Sequence, residues 1–218
     1  MKIYSYVLRN DSGFAPNPFW DYITLACDQA LIRQLANVGD WIVGLNEGSK
    51  KIADHKLIFA MQITEKITFE KYWVDPRFQV KKPDFSIDEE IFRVGDNIYE
   101  KTTKDIIQHY SMHSRDYFTN DSEWLHQKQE DIQGKFVLIA DKDHFFYFGS
   151  KPVSFPSLEL TDLLFCDIGN KCIADPNVPN EFLNFIDVLK KVGKKGFINP
   201  PELWPIKDDS WKQCEVKE

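Results

Sequence analysis

Two histidines, His109 and His113, stand four residues apart, a spacing that would set both on one helix face as metal ligands often are. The intervening glutamate of an HExxH site is missing, and no cysteine pair supplies a second half-site, so no metal is expected. Gly44–Lys51 (GLNEGSKK) has the composition of a phosphate loop but lacks the GxxxxGK[ST] spacing, and the chain has no GxGxxG. It reads as an ordinary turn between strands. There is no GxSxG elbow for a serine nucleophile. Cys27 would need a histidine partner and a depressed pKa to act as one, and it reads as a buried strand thiol.

Three segments have a composition suited to binding. Asp11–Trp20 (DSGFAPNPFW) packs Asp11, Phe14, Asn17, Phe19 and Trp20 into a stretch that Gly13, Pro16 and Pro18 keep out of helix and strand. Such a loop either plugs the core or lines a pocket with stacking faces. If it is a plug, Phe14 and Phe19 are fully buried; if it is a pocket wall, they are partly exposed. Tyr72–Phe78 (YWVDPRF) sets Asp75 and Arg77 beside Trp73, where the two polar groups can meet a base edge and a phosphate, or each other. His113–Ser114–Arg115 is a third polar group. The expected site takes stacking faces from Phe14, Phe19, Trp41 and Trp73, edge readers from Asn17, Asp40 and Asp75, and phosphate contacts from Arg77 or Arg115.

The elements that must position these residues alternate quickly. Strands are expected at 2–8, 22–27, 41–45, 57–64, 135–140 and 144–149, the last two as a hairpin joined by Asp141–Lys142–Asp143. Asp28 is expected to cap a helix over Gln29–Ala36 with Leu31 and Leu35 on its buried face. Further helical segments are expected at Phe69–Trp73, closed by Asp75–Pro76, and at Lys104–His113. Residues 79–104 are charged and irregular around a Gly95–Asp96–Asn97 turn. A strand near Leu163–Cys166 precedes an amphipathic helix capped by Asn180. That helix turns Phe182, Phe185, Ile186 and Leu189 inward and stops at Gly193.

Composition bounds the rest. The 218 residues are 43% hydrophobic and 14% aromatic, enough to bury a core without staples. A net charge of −7 opposes non-specific binding to duplex DNA, which needs a basic surplus, yet leaves room for a pocket with a few donors. The pairs Lys50–Lys51, Lys81–Lys82, Lys190–Lys191 and Lys194–Lys195 read as solvated surface. Met1–Arg9 runs straight into a strand-like segment, so no signal peptide is expected. No apolar stretch reaches membrane-spanning length. Cys27, Cys166, Cys172 and Cys214 lack CxxC spacing, and reduced thiols in a cytoplasmic protein are expected, without a disulfide or a cofactor.

Several ordered motifs also resemble a known family. IYSYVLRNDSGFAPNPFWDYITLACDQALIR, VGDWIVGL, KLIFAMQITEKITFEKYWVDPRF, GDNIY, SMHS and FVLIADKDHFFYFG are similar to the nucleotide modification associated domain 2 family from about residue 2 to about residue 150 and beyond. The resemblance implies association with modified DNA bases in phages and bacteria, and it carries no catalytic residue. A looser likeness is to PUA-like domains of the EVE, ASCH and YTH kind, in which a small β-barrel holds a modified base between aromatic walls. Val38–Trp41 stands where the barrel's signature turn would be, and Trp73–Arg77 where its later segment would be.

The fold expected is therefore α+β, a small mixed β-barrel or strongly bent sheet with peripheral helices and a C-terminal helical extension. Residues 1–155 would form its core, with a charged insert at about 79–130, and 156–218 would pack on it as a strand and a helix. The function expected is binding of a nucleotide or modified base, free or within nucleic acid. An enzyme acting on such a base, with Asp11, Asp40 or His113 as acid or base, is the alternative. A protein-interaction module using the 79–130 insert is a third reading.

Overall fold

The almost unbroken apolar run Ile3–Leu8 forms a strand with five of its six residues buried, as a strand covered on both faces must. A computed structural model describes residues 1–48, 51–111, 121–166, 170–173 and 177–204. The first elements are β1 (Ile3–Leu8), β2 (Tyr22–Leu25), α1 (Ala30–Leu35), β3 (Trp41–Asn46), β4 (Leu57–Gln62), β5 (Glu65–Thr68), α2 (Phe69–Val74) and α3 (Glu90–Arg93). There follow β6 (Tyr99–Lys101), β7 (Ile106–Gln108), α4 (Asp121–Gln133), β8 (Phe136–Asp141) and β9 (Phe145–Tyr147). The last are α5 (Leu158–Leu164), β10 (Asn170–Ile173), α6 (Asn177–Lys191) and β11 (Gly196–Phe197). The class is α+β, with parallel and antiparallel pairs in one sheet. Among the described residues the sheets are open, and none closes into a barrel.

The chain divides into two compact units, each drawn from several segments. The first comprises Met1–Asp11, Ala36–Thr64 and Ala140–Leu203. It holds a six-stranded sheet in the order β10-β1-β3-β4-β9-β11. β1 runs parallel to β3 from Ile3↔Trp41 to Leu8↔Asn46, and β3 pairs antiparallel with β4. Ile3, Val43, Leu45, Leu57, Ala60, Phe146 and Phe148 form one core with Leu160 and Leu164 of α5 and Phe182 and Ile186 of α6. Ser157 caps α5 by accepting from the Leu160 N–H at 3.0 Å.

The second unit comprises Ser12–Leu35 and Glu65–Ile139, joined by Trp204. Its sheet is β2-β8-β5, with β5 and β8 antiparallel, and β6 pairs with β7. Thr68 caps α2, and Asp75 caps the 3₁₀ turn Pro76–Lys81 by accepting from the Arg77 N–H. The described residues of the charged segment from residue 79 contribute α3, the β6–β7 pair and α4 to this unit.

Five local expectations are corrected. β8 and β9 form no hairpin, because β8 pairs with β5 while β9 pairs with β4 and β11. Helix α1 buries Ile32 and Arg33, whereas Leu31 and Leu35 are more than half exposed. Residues 106–108 are strand β7, paired with β6, where a helix was expected. Leu163 and Leu164 are the last residues of helix α5, and the strand of this region is β10, which pairs with β1. Helix α6 begins at Asn177, before Asn180, although Phe182, Ile186 and Leu189 face inward as expected.

Candidate functional site

In the first unit the polar candidates are tied into the backbone. Asp11 is 2% exposed and accepts from the Tyr147 hydroxyl and from the Glu202 N–H at 3.3 Å. Burial, then the Asp11 charge, pushes the Tyr147 phenol well above its ordinary value, so it stays a donor. The Asp40 carboxylate closes the turn before β3, accepting from the Lys2 N–H at 2.7 Å and the Asn37 N–H at 3.0 Å. Trp41 is 1% exposed and packs edge-on against Phe182 at 5.3 Å.

In the second unit Phe14 and Phe19 are 2% and 0% exposed, and Phe19 stacks on Trp204 at 5.2 Å. This is the plug arrangement for those two rings. Asn17 is also buried. Its amide donates to the Val94 carbonyl at 2.9 Å, and its oxygen accepts from the Lys81 ammonium at 2.6 Å. Arg77 makes a paired contact with Glu65 at 2.6 and 2.9 Å and also bonds Asp75. The Arg77 hydrogen bonds hold the Asp75 carboxyl below its usual range. Of the two outcomes for Asp75 and Arg77, the geometry gives the mutual pair. His113 and Arg115 lie outside the described residues.

Trp73 differs from Phe14, Phe19 and Trp41 in being half-buried. The His109 imidazole lies nearly parallel to it, at 4.4 Å and 16°. The Lys82 ammonium sits 3.5 Å from its ring centroid, a cation–π distance. Burial is the main cause that lowers the Lys82 pKa, opposed by the Glu100 charge. Glu100 in turn bonds His109 Nε2 at 2.8 Å. Helix α2 supplies the indole, strand β6 the carboxylate, and the residue just after β7 the imidazole. A flat ring, two basic side chains and a carboxylate thus meet at the surface, and His109 contributes as a stacking partner.

Sequence reasoning missed a buried polar network in the same unit. Asp96, 1% exposed, accepts from the Tyr72 hydroxyl at 2.6 Å and the Thr24 hydroxyl at 2.7 Å. Burial raises its pKa, with the Lys81 charge as the largest opposing influence. Lys81, read as solvated, is fully buried and donates to Asn17 O, Asn17 Oδ1 and Tyr22 O. Arg33 donates to the carbonyls of Asp28, Phe136 and Asp131, and Tyr99 donates to the Asp131 carboxylate. Cys27 lies beside it, its thiol held protonated by burial. The one signal was GDN at 95–97, whose polar side chains fold inward although the motif reads as a turn. Among the described residues no group of three or more His, Cys, Asp or Glu side chains is placed to hold a metal ion.

The sequence matches the family described as nucleotide modification associated domain 2 over residues 1–208. The chain belongs to that family. No curated protein and no solved structure matches it. The nucleotide modification associated domain 2 match spans both compact units, including α5, α6 and the intervening β10 beyond the motifs quoted above. The family name links the chain to nucleotide modification. Among the described residues no helix is long and apolar enough to cross a membrane.

Proposed function

We propose that this chain binds a nucleotide or a modified nucleobase, free or within nucleic acid, with Trp73 as the stacking surface. One observation carries the reading. Of the four rings whose placement bears on stacking, Phe14, Phe19 and Trp41 are at most 2% exposed, whereas Trp73 is half-buried. Its present neighbours, an imidazole and an ammonium, are of the kinds that a base and a cation supply, so a base can take the place of His109. Arg77 is engaged by two carboxylates, so among the described residues beside Trp73 the phosphate contact is Lys82. Each base stacked on an aromatic ring is worth about 1–3 kcal/mol, enough to set affinity at one ring. The looser likeness to PUA-like domains supports the same ligand class without requiring a closed barrel.

The test is a thermal-shift screen of nucleotides and modified nucleosides, followed by titration of the best ligand into Trp73→Ala. Binding should weaken more than tenfold, at least about 1.4 kcal/mol, while the melting temperature changes little. Unchanged affinity in that variant would move the site elsewhere.

A further inference from the structure

A recess lies in the first unit and contains none of the residues of the Trp73 cluster. It is a cleft of about 160 Å³ lined by Ala53, His55, Ser154, Phe155, Pro156, Ser157, Leu158 and Thr161. His55, Phe155 and Thr161 are 5%, 8% and 3% exposed and form its floor; Ser154 and Leu158 are exposed at its rim. Two hydroxyls are already engaged. Ser157 Oγ donates to Glu181 at 2.6 Å, and Thr161 Oγ1 donates to the Ser157 carbonyl at 2.9 Å.

His55 is held from several sides. Its ring stacks on Phe165 at 3.9 Å and 24°. A Cβ on Gly48 would come within 2.7 Å of Nδ1, so the backbone there lies close against the ring. Nδ1 is 3.2 Å from the Asn46 carbonyl, and Asn46 is itself fixed by the Lys56 N–H at 2.6 Å. A carbonyl only accepts, so Nδ1 carries the proton in the neutral ring and Nε2 presents a lone pair. The hydrogen bond that the ring makes to the described residues is at Nδ1, and none is made at Nε2. An imidazole 95% buried, with its tautomer set and an open acceptor in a cleft of mixed polar and apolar lining, is a built recognition point for a donor.

Size narrows the ligand. At about 30 Å³ per water the cleft holds roughly five waters, well below the ~300–1,000 Å³ of pockets that enclose a whole nucleotide-sized molecule. We infer that this cleft binds a single small heterocycle that donates a ring N–H to His55 Nε2. A single carboxylate or phosphate group is disfavoured, because a neutral imidazole offers it an acceptor.

The test uses the full chain with ring-nitrogen labelled histidine at about pH 8, above the ordinary imidazole range near 6.5. Long-range ¹H–¹⁵N spectra should show His55 with Nδ1 protonated and Nε2 bare. Uracil, which has ring N–H donors, should shift the Nε2 resonance saturably. Pyrimidine, a six-membered ring without an N–H, should bind at least tenfold more weakly, since it leaves the acceptor unpaired. Ser154→Phe fills the rim from an exposed position and should abolish the uracil shift with the fold intact. His55→Phe should also abolish it, but it alters a buried ring, so Ser154→Phe decides. An Nε2-protonated neutral ring, equal binding of the two probes, no saturable shift, or an unchanged shift in Ser154→Phe would each overturn the inference. None of these outcomes depends on Trp73.

Discussion

Lys81 satisfies three oxygens with one ammonium, donating to Asn17 O, Asn17 Oδ1 and Tyr22 O at 3.0, 2.6 and 3.0 Å. A buried cation persists only where its donors are filled, and here they also fix the Asp11–Trp20 loop through Asn17. Lys81→Met keeps the stem and removes the donors. It should cost about 3–5 kcal/mol, read from the denaturant midpoint, because breaking a buried polar set strands its partners. A loss under about 1 kcal/mol would mean that the loop holds itself. Asp96 gives a pH-dependent counterpart. Its folded pKa is raised by burial, so between the unfolded value near 3.9 and the folded value the native state binds more protons than the unfolded one. Its contribution to stability is therefore full below that window and declines as pH rises through it. Asp75, with a lowered pKa, contributes in the opposite sense and loses its share on acidification. Asp96→Asn should make the melting temperature less favourable to acid relative to neutral pH, measured as a difference curve against the parent. An unchanged difference curve would mean that Asp96 does not titrate differently on folding.

At the scale of elements, β3 and β4 fit together because position 44 lacks a side chain. A Cβ there would sit 2.1 Å from Phe59 Cε1, across the pair Gly44↔Phe59. Gly44→Ala should cost about 1–3 kcal/mol as overpacking, and Phe59→Leu in the same chain should recover part of it. Additive losses in that double-variant cycle would show that the two positions do not compete for space. The strand runs were legible because burial on one or both faces writes itself as alternation or as a continuous apolar run, and β1, β2, β3, β4, β8 and β9 all stand where the pattern placed them. Pairing was not legible. Asp141 accepts from the Asp143 N–H at 3.0 Å and from the His144 N–H through its carbonyl, a tight turn that reads as a hairpin. Yet nothing local records that β8 pairs with β5 and β9 with β4. Helix α1 misled in another way. Its apolar pair Leu31 and Leu35 marks a face, but the buried face is set by Arg33, whose guanidinium needs the carbonyls of Asp28, Asp131 and Phe136. A 3.6-residue pattern ranks hydrophobicity and is blind to a cation with waiting acceptors.

The candidate site was legible only in part for the same reason. Trp73 stands out in the sequence as an indole beside Asp-Pro-Arg, whereas the neighbours the structure gives it, Lys82, Glu100 and His109, come from separate stretches that the fold of the second unit brings together. At the scale of the whole molecule, charge sets which ligands those few groups can hold. The chain carries 27 basic against 34 acidic residues, a net of −7, so its average field repels a polyanion. Non-specific binding to duplex DNA comes from releasing counterions with many lysines and arginines, and its affinity falls steeply with salt. Here Arg77 and Arg93 are paired with carboxylates and Arg33 and Lys81 are buried, which removes them from that role. A single nucleoside stacked on Trp73 releases no such counterions. Its affinity should change less than about twofold between roughly 50 and 200 mM salt, a range over which a protein contacting many phosphates loses about a thousandfold or more. A random duplex should show no saturable binding in the micromolar range at physiological salt. The measurement is a paired titration of a fluorescent duplex and of the nucleoside returned by the thermal screen, at both salt concentrations. Tight duplex binding with a steep salt slope would mean that a local basic surface overrides the net charge, and that the ligand of this fold is the phosphate backbone rather than a base.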